Sequence, residues 1–388
     1  MSIPLILVGA GGMGRAWLQT IEAEPRAELA GVVDLDLDAA RAALAEAGRT
    51  DVPVGSDAVA LAQETGAQAV VNVTVPRAHH PVTTSALFAG LPVLSEKPVA
   101  DTLPRALSLA AAAEVTGQLF MVSQSRRYNP QLFSLRAQAE GLGAAGALVT
   151  EFFKAPRFGG FRERMLHPLL LDMAIHPFDT ARFLLGAEPV SVYCEEFNPP
   201  WSWYDGDAAA TAIFEMDGGA RFVYTGSWCS PGQETSWNGS WRLSAERGTV
   251  TWDGDHEPVV EAPDAGVAEK GVLEATVLDE GGTVPGEGIA GALAEFLDAL
   301  AAGAGAAPGR SEGAGVVTPM GEVHENIMSL AMVEAAVESA SRGGRVRVDE
   351  ILENAWRQAL AGESRDEVRE RLVAWPSVRG ALTAGARV

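Results

Sequence analysis

The chain is short of lysine, of cysteine and of long apolar runs. Three lysines stand among 29 basic residues, and two cysteines serve 388 positions. No apolar stretch reaches the roughly 20 residues that a membrane-spanning helix needs. Cys194 and Cys229 are too few for a disulfide framework or a cysteine-built metal cluster, which points to a reducing compartment. A basic leader is also missing, since a strand-like run begins at Ile3, and the expectation is a cytoplasmic protein. The net charge of −22 argues against nucleic acid and anionic membrane as partners, because an acidic surface is repelled by both. What remains is ordinary for a soluble enzyme: 47% hydrophobic and 21% charged residues can build normal cores, and the length predicts two domains.

Where arginine supplies nearly all the positive charge, each lysine draws attention. Lys97 lies in Ser95-Glu96-Lys97-Pro98, directly after the strand-like run Leu91 to Leu94. Burial lowers an ammonium pKa readily, so lysine can lose and recover a proton near neutral pH, whereas guanidinium stays charged.

The first residues read as a nucleotide site. The apolar run Ile3 to Val8 leads into Gly9-Ala10-Gly11-Gly12-Met13-Gly14 and then into a helix with Ala16, Trp17 and Ile21 on its apolar positions. Gly9 permits a tight turn, Gly11 lets a pyrophosphate approach the backbone, and Gly14 lets the helix pack closely, its N-terminus offering N–H groups to phosphate. A second strand, Leu29 to Val33, ends at Asp34, 20 positions past Gly14, where a carboxylate can accept from ribose hydroxyls. Asp34 would repel a 2′-phosphate, and Leu35 and Asp36 offer no cation to receive one, so NAD is favoured over NADP.

Alternating strands and helices continue to about residue 120, with strands at 69–73, 92–94 and 119–123 and helices near 38–47, 56–65, 80–89 and 103–116. This pattern predicts a doubly wound parallel sheet. Beyond Pro130 come runs at 147–153, 190–197, 208–214, 220–227, 240–244 and 249–252 with few helices between them, the pattern of a large, mostly antiparallel open sheet in an α+β domain. The expected division is 1–122 for the NAD-binding Rossmann domain, 123–350 for a substrate-binding α+β domain, and 351–388 for a C-terminal extension. A Gly/Ala-rich loop, 303–315, is expected between helices at 289–302 and 319–341. The extension carries Trp356, Leu360, Val368, Leu372 and Trp375 at helical spacing, to cap the fold or to meet a neighbouring subunit.

In the second domain Asp172, His176 and Asp179 stand at i, i+4 and i+7, on one face if the run is a helix, with Pro177 in its first turn. His176 suits proton transfer at neutral pH, and Asp172 can orient it or hold a hydroxyl. The same pair could hold a metal, though no third ligand is visible, or could be a satisfied helix histidine beside a capping acid. Six of nine tryptophans lie between Trp201 and Trp252. Their flat faces, Trp201 among them, suit sugar rings, with Asn198 and Asn238 available to ring hydroxyls, or they fill cores and interfaces. His167, followed by Pro168, reads either as a contact to a substrate hydroxyl or as a helix-entry histidine bonded to backbone.

These motifs, in this order, resemble the Gfo/Idh/MocA oxidoreductases, relatives of glucose-fructose oxidoreductase and inositol dehydrogenase. The likeness runs through Gly9-x-Gly11-x-x-Gly14, Asp34, Thr74 with His79, Glu96-Lys97-Pro98, Arg127-Tyr128-Asn129-Pro130 and Asp172-x-x-x-His176-x-x-Asp179, and reaches the helix containing Asn326 and Leu330. The resemblance implies a catalytic set of Lys97, Asp172 and His176, and a cis bond before Pro98. It implies NAD contacts at Gly9, Gly11, Gly12, Met13, Gly14, Asp34, Thr74, Val75, Pro76, His79, Glu96 and Lys97. Lys97, Arg127, Tyr128, Asp172 and His176 are expected to contact substrate, with His167 and Trp201 added from the residues themselves. No metal is expected, and the chain is expected to form a homo-oligomer, dimer or tetramer. Two departures stand out: Leu166-His167-Pro168 replaces a glycine triplet, and Thr74-Val75-Pro76 replaces Thr-Pro. His80 reads as a surface residue at a helix start.

The expected activity is NAD-dependent oxidation of a secondary hydroxyl on a sugar, cyclitol or sugar derivative. An NAD-retaining glycosidase and a non-catalytic NAD-sensing regulator are the alternatives.

Overall fold

The computed structural model describes residues 2–262, 286–303 and 318–384. The Gly/Ala-rich stretch expected at 303–315 falls, apart from Gly303, outside the described residues. The chain folds as two units. Of the described residues, the first comprises 2–128, 286–303, 318–327 and 352–384, and the second 129–262 and 328–351.

In the first unit β1 (Ile3–Val8), α1 (Gly12–Ala23), β2 (Ala27–Val33), α2 (Leu37–Glu46), β3 (Val54–Gly55), α3 (Ala58–Thr65), β4 (Ala69–Asn72), α4 (Pro76–Phe88), β5 (Val93–Glu96), α5 (Leu103–Thr116) and β6 (Phe120–Ser123) alternate. The strands lie in the order β3-β2-β1-β4-β5-β6, all pairs parallel, as in a Rossmann sheet. Both faces are covered by helices, so β4 and β6 are buried along their whole length, each three apolar residues closed by a buried polar one, Asn72 or Ser123. Val8 is level with Val33 and Asn72, Asn72 with Ser95, and Glu96 with Ser123. That register sets the residues following β1, β2, β4, β5 and β6 along one carboxyl edge.

The second unit contains α6 (Pro130–Glu140), β7 (Ala145–Phe153), α7 (Ile175–Leu185), β8 (Pro189–Phe197), β9 (Ala209–Met216), β10 (Arg221–Ser227), β11 (Ser240–Ala245), β12 (Gly248–Trp252) and β13 (Val259–Glu261). Further along the chain come α8 (Gly288–Ala301), α9 (Val323–Arg342), β14 (Val346–Arg347), α10 (Val348–Gly362), α11 (Asp366–Val373) and α12 (Val378–Thr383). Eight strands form a sheet in the order β13-β12-β11-β7-β10-β9-β8-β14. It is antiparallel except where β10 runs parallel to β7. Its core is aromatic: Phe178 of α7 stands edge-on to Phe214, Phe222 and Tyr224 at 4.8, 5.9 and 5.3 Å. Arg182, fully buried on the same helix, donates from Nε and Nη2 to Glu188 at 2.8 and 2.5 Å and from Nη1 to Ser329 at 2.8 Å.

The division differs from 1–122, 123–350 and 351–388 in two places. Helix α8 supplies Ala292, Leu293, Phe296 and Leu297 to the core of the first unit. The last helices also pack there, with Trp375 donating its indole N–H to Glu114 of α5 at 3.0 Å. Both moves bury apolar faces that the sequence pattern leaves without a partner. No described helix is long and apolar enough to cross a membrane.

Candidate functional site

At the carboxyl edge of the first unit, the glycine loop fits a dinucleotide. Gly9 has φ +106, and a Cβ there would come within 2.7 Å of the Val73 carbonyl oxygen. A Cβ on Gly14 would meet the Gly9 carbonyl oxygen at 2.0 Å, so α1 packs on the turn only because Gly14 has none. At Gly11 and Gly12 a Cβ would face open space, and no side chain caps α1, so its N-terminal donors are left to a ligand. Met13 is exposed beside them. Asp34 Oδ2 accepts from Ala10 N at 2.7 Å and Oδ1 from Asp36 N at 2.9 Å, which fixes the carboxylate against the loop. Leu35 is 92% exposed.

After β4, Asn72 Oδ1 accepts from the Thr74 hydroxyl at 2.8 Å, and Val75 and Pro76 start α4. The Lys97–Pro98 bond is cis, as expected. His79, expected at the cofactor, places both ring nitrogens on backbone carbonyls. It is fully buried, its ring nitrogens 2.9 Å from the Thr74 carbonyl and 2.7 Å from the Pro98 carbonyl. It therefore clamps the loop after β4 to the segment carrying Lys97. Burial pulls its pKa down, partly offset by those carbonyls. Glu96 also turns inward: its Oε1 accepts the Trp17 indole N–H at 2.7 Å, and burial pushes its pKa up. His80 is half-buried against the Ser108 hydroxyl at 3.2 Å rather than on the surface.

Arg127 and Tyr128, expected at the substrate, have protein partners within the first unit. Arg127 Nη2 donates to Glu325 Oε1 at 2.6 Å, and Tyr128 donates its hydroxyl to Glu295 Oε2 at 2.5 Å, both side chains being buried. Their sequence spacing shows none of this because both acids lie well over 100 residues away.

In the second unit, Leu169–Met173 forms a π-helical turn that runs into α7. Asp172, His176 and Asp179 are therefore not successive positions of one regular helix. The wider turn carries Asp172, and such turns recur at functional sites because they re-aim side chains without breaking the helix. His176 sits in the first turn of α7 at 8% exposure. Asp179 serves the core instead, accepting from the Ser329 hydroxyl at 2.6 Å. Arg162, which the sequence reading passes over, donates from Nε to Asp172 Oδ2 at 2.6 Å.

His167 meets a carboxylate rather than the backbone partner of its helix-entry reading. Its Nδ1 lies 2.7 Å from Glu196 Oε2, a hydrogen bond that holds its pKa above the ordinary range. Among the tryptophans, Trp228, Trp241 and Trp252 fill the core, whereas Trp201 is 64% exposed with its indole N–H on the Cys229 carbonyl at 2.8 Å. Asn198 and Asn238 tie loops together, donating to the Tyr204 and Gly254 carbonyls at 2.9 and 2.8 Å. Among the described residues no cluster of three or more His, Cys, Asp or Glu side chains is placed to hold a metal.

Two models of one family match the chain. The oxidoreductase family with an NAD-binding Rossmann fold, GFO/IDH/MocA, covers residues 3–124, and the GFO/IDH/MocA C-terminal domain covers 159–251. The chain belongs to the GFO/IDH/MocA family. It is an NAD-binding oxidoreductase of that family by fold and sequence. It is 28% identical to an uncharacterized protein, y4oX, of Sinorhizobium fredii, over 91% of this chain and 98% of that one. It is 33% identical to inositol 2-dehydrogenase 4 of Saccharopolyspora erythraea over 48% of this chain, a match that spans 55% of that relative's length. An oxidoreductase of Agrobacterium radiobacter, solved in complex with NAD+, L-tartaric acid and magnesium, is similar to this chain in fold. Its TM-score is 0.76 at 19% identity, covering 91% of this chain and all of that one.

Proposed function

We propose that this protein is an NAD-dependent dehydrogenase that oxidises a secondary hydroxyl of a sugar, cyclitol or sugar derivative. The observation that carries the reading is the carboxyl edge of the Rossmann sheet, where the open Gly11–Gly12 loop, Asp34 and the cis Lys97–Pro98 segment follow adjacent or near-adjacent strands. The 33% identity with an inositol 2-dehydrogenase supports a polyol substrate. Asp34 supports NAD over NADP, since its fixed carboxylate suits ribose hydroxyls and repels a phosphate.

Oxidation of CH–OH to C=O removes a hydride and a proton. NAD, when bound, supplies the hydride acceptor. His176 is assigned to take the hydroxyl proton and Lys97 to stabilise the developing alkoxide with its ammonium. Asp172 orients or binds the hydroxyl, and its carboxylate is itself held by Arg162. The test is NADH formation, followed by absorbance, over a panel of cyclitols, aldoses, deoxysugars, sugar acids and glycosides. Stoichiometric NADH with one polyol class supports the reading. Sugar released from a glycoside with no net NADH would replace it with NAD-retaining hydrolysis.

A further inference from the structure

We infer that Arg162 presents the outer edge of its guanidinium to a carboxylate of the substrate, so that the polyol oxidised is an acid, a uronate or aldonate. This rests on the dehydrogenase reading and names the substrate class within it.

The chain carries a net charge of −22, yet Lys154, Arg157, Arg162 and Arg164 face only Glu163 within residues 154–167. These cations are not equivalent. Lys154 is committed to Glu234 at 3.0 Å. Arg157 lies over the Trp203 ring at 4.0 Å, and Arg164 donates from Nε to the Gly160 carbonyl at 3.3 Å; neither has an acidic partner among the described residues. Arg162 is the one that reaches the π-helical turn, bonding Asp172 through Nε alone. Its guanidinium carbon lies 4.9 Å from the centre of the Phe161 ring and 5.3 Å from that of Phe158, both rings exposed.

Guanidinium is planar with donors on two edges, and a carboxylate matches such an edge with two parallel hydrogen bonds. The Nε of Arg162 is used on Asp172, while Nη1 and Nη2 have no acceptor among the described residues and the side chain is 38% exposed. The segment bearing it is fastened at several points. Tyr204 donates its hydroxyl to the Pro156 carbonyl at 2.9 Å, and the N–H groups of Asp205 and Asp207 donate to the Glu163 and Leu166 carbonyls at 2.8 and 2.9 Å. A Cβ at Gly206 would strike the Leu166 carbonyl at 2.1 Å, so only glycine lets the two segments lie this close. An arginine held in this way has already lost much of its rotamer freedom, which lowers the entropic cost of gripping an anion. Three nearby acids have partners: Asp172 in Arg162 itself, Glu196 in His167, and Glu163 in the Gly159 N–H at 2.9 Å.

The experiment compares matched sugars, D-glucuronate with D-glucose and D-galacturonate with D-galactose, on the NAD-loaded protein. NADH formation and calorimetric binding are both measured for wild type, Arg162→Gln and Arg162→Lys, with thermal melts to establish folding. In wild type one acid should exceed its neutral partner by at least about 10-fold in kcat/KM, the scale of a charge-assisted hydrogen bond. Arg162→Gln should lower the acid-to-neutral ratio by about 10-fold or more, whatever its effect on overall turnover, and Arg162→Lys should restore only part of it. A wild-type preference for the neutral sugars, or a ratio unchanged in Arg162→Gln, overturns the inference and leaves the dehydrogenase reading standing. Arg162-dependent binding of an acid with no NADH from any sugar upholds the anion site and overturns the dehydrogenase reading.

Discussion

Trp17 donates its indole N–H to Glu96 Oε1 at 2.7 Å, tying the helix behind the glycine loop to the residue that precedes Lys97. Trp17 is fully buried, and burial already pushes the Glu96 pKa up. Trp17→Phe keeps most of the packing but leaves a buried carboxyl without its donor. The expected loss is about 1–3 kcal/mol in urea denaturation. Glu96→Gln in the Trp17→Phe background should recover part of this, because a neutral amide is cheaper to bury than a carboxylate. Equal stability of Trp17→Phe and wild type would show that this bond contributes nothing.

Two glycines four and six residues past the end of β1 should respond differently to the same methyl group. Gly14→Ala would drive its Cβ into the Gly9 carbonyl, whereas Gly12→Ala adds a Cβ in open space. The expected outcome is lowered melting temperature for Gly14→Ala and near-normal melting for Gly12→Ala. NAD affinity, measured by calorimetry, should fall in both, since Gly12→Ala obstructs the loop without unfolding it.

This pair shows what the sequence makes legible. A glycine turn between a strand and a helix is a local pattern, and the longer strands of both units, as apolar runs or alternating ones, are placed within a few residues. The three shortest strands, Val54–Gly55, Val259–Glu261 and Val346–Arg347, are too brief to show any period. The clamp made by His79 depends on the Pro98 carbonyl 19 residues away, and the Arg127 ion pair on Glu325, 198 away. Arg162 opens a single 3₁₀ turn, Arg162–Arg164, too short for periodicity to announce a side chain's direction, so its bond to Asp172 becomes visible only in the folded chain. The π-helical turn is equally silent, because its residues would suit an α-helix as well.

Cofactor choice should turn on Asp34 and its neighbour. Asp34→Ser with Leu35→Arg removes a fixed anion and adds a cation at a position that is 92% exposed. Preference should move toward NADP by at least about 10-fold in the ratio of dissociation constants, the worth of one charge-assisted contact. NAD affinity itself should also fall, because Asp34 accepts the Ala10 N–H that shapes the loop. Tighter binding of NADP than NAD by the wild-type protein would remove Asp34 from this role.

For the proposed chemistry, Lys97→Ala and His176→Ala should retain NAD binding and each lose turnover by about 100-fold or more, the usual scale for a positioned proton-transfer group. Asp172→Asn should be milder, since the amide can still orient a neighbour. It should also release Arg162 from its ion pair at 2.6 Å and so raise KM for the substrate as well as lowering kcat. A folded His176→Ala protein with near-normal turnover would assign the proton to another group.

The last helices of the chain are latched to the first unit through a charged cluster that titrates within an accessible range. His324 is buried with Nδ1 2.8 Å from Glu322 and Nε2 2.9 Å from Glu114, and Glu114 also accepts from Arg371 and from the Trp375 indole. Burial opposes protonation of His324, but the Glu322 and Glu114 carboxylates outweigh it and its pKa is pushed up to about 9 from the ordinary 6.5. A pKa raised on folding means that the folded state holds the proton more tightly. The stabilisation is complete below about pH 6.5 and is lost as pH rises through about 9, a change of about 2–3 kcal/mol. Urea denaturation of wild type should show this loss between pH 6.5 and 9.5. His324→Gln should be less stable than wild type at pH 6.5, and the difference between the two should shrink by pH 9.5 because glutamine has no proton to give up. A constant difference between the two proteins across that range would mean that His324 is neutral in the folded state and that the latch rests on Arg371 and Trp375 alone.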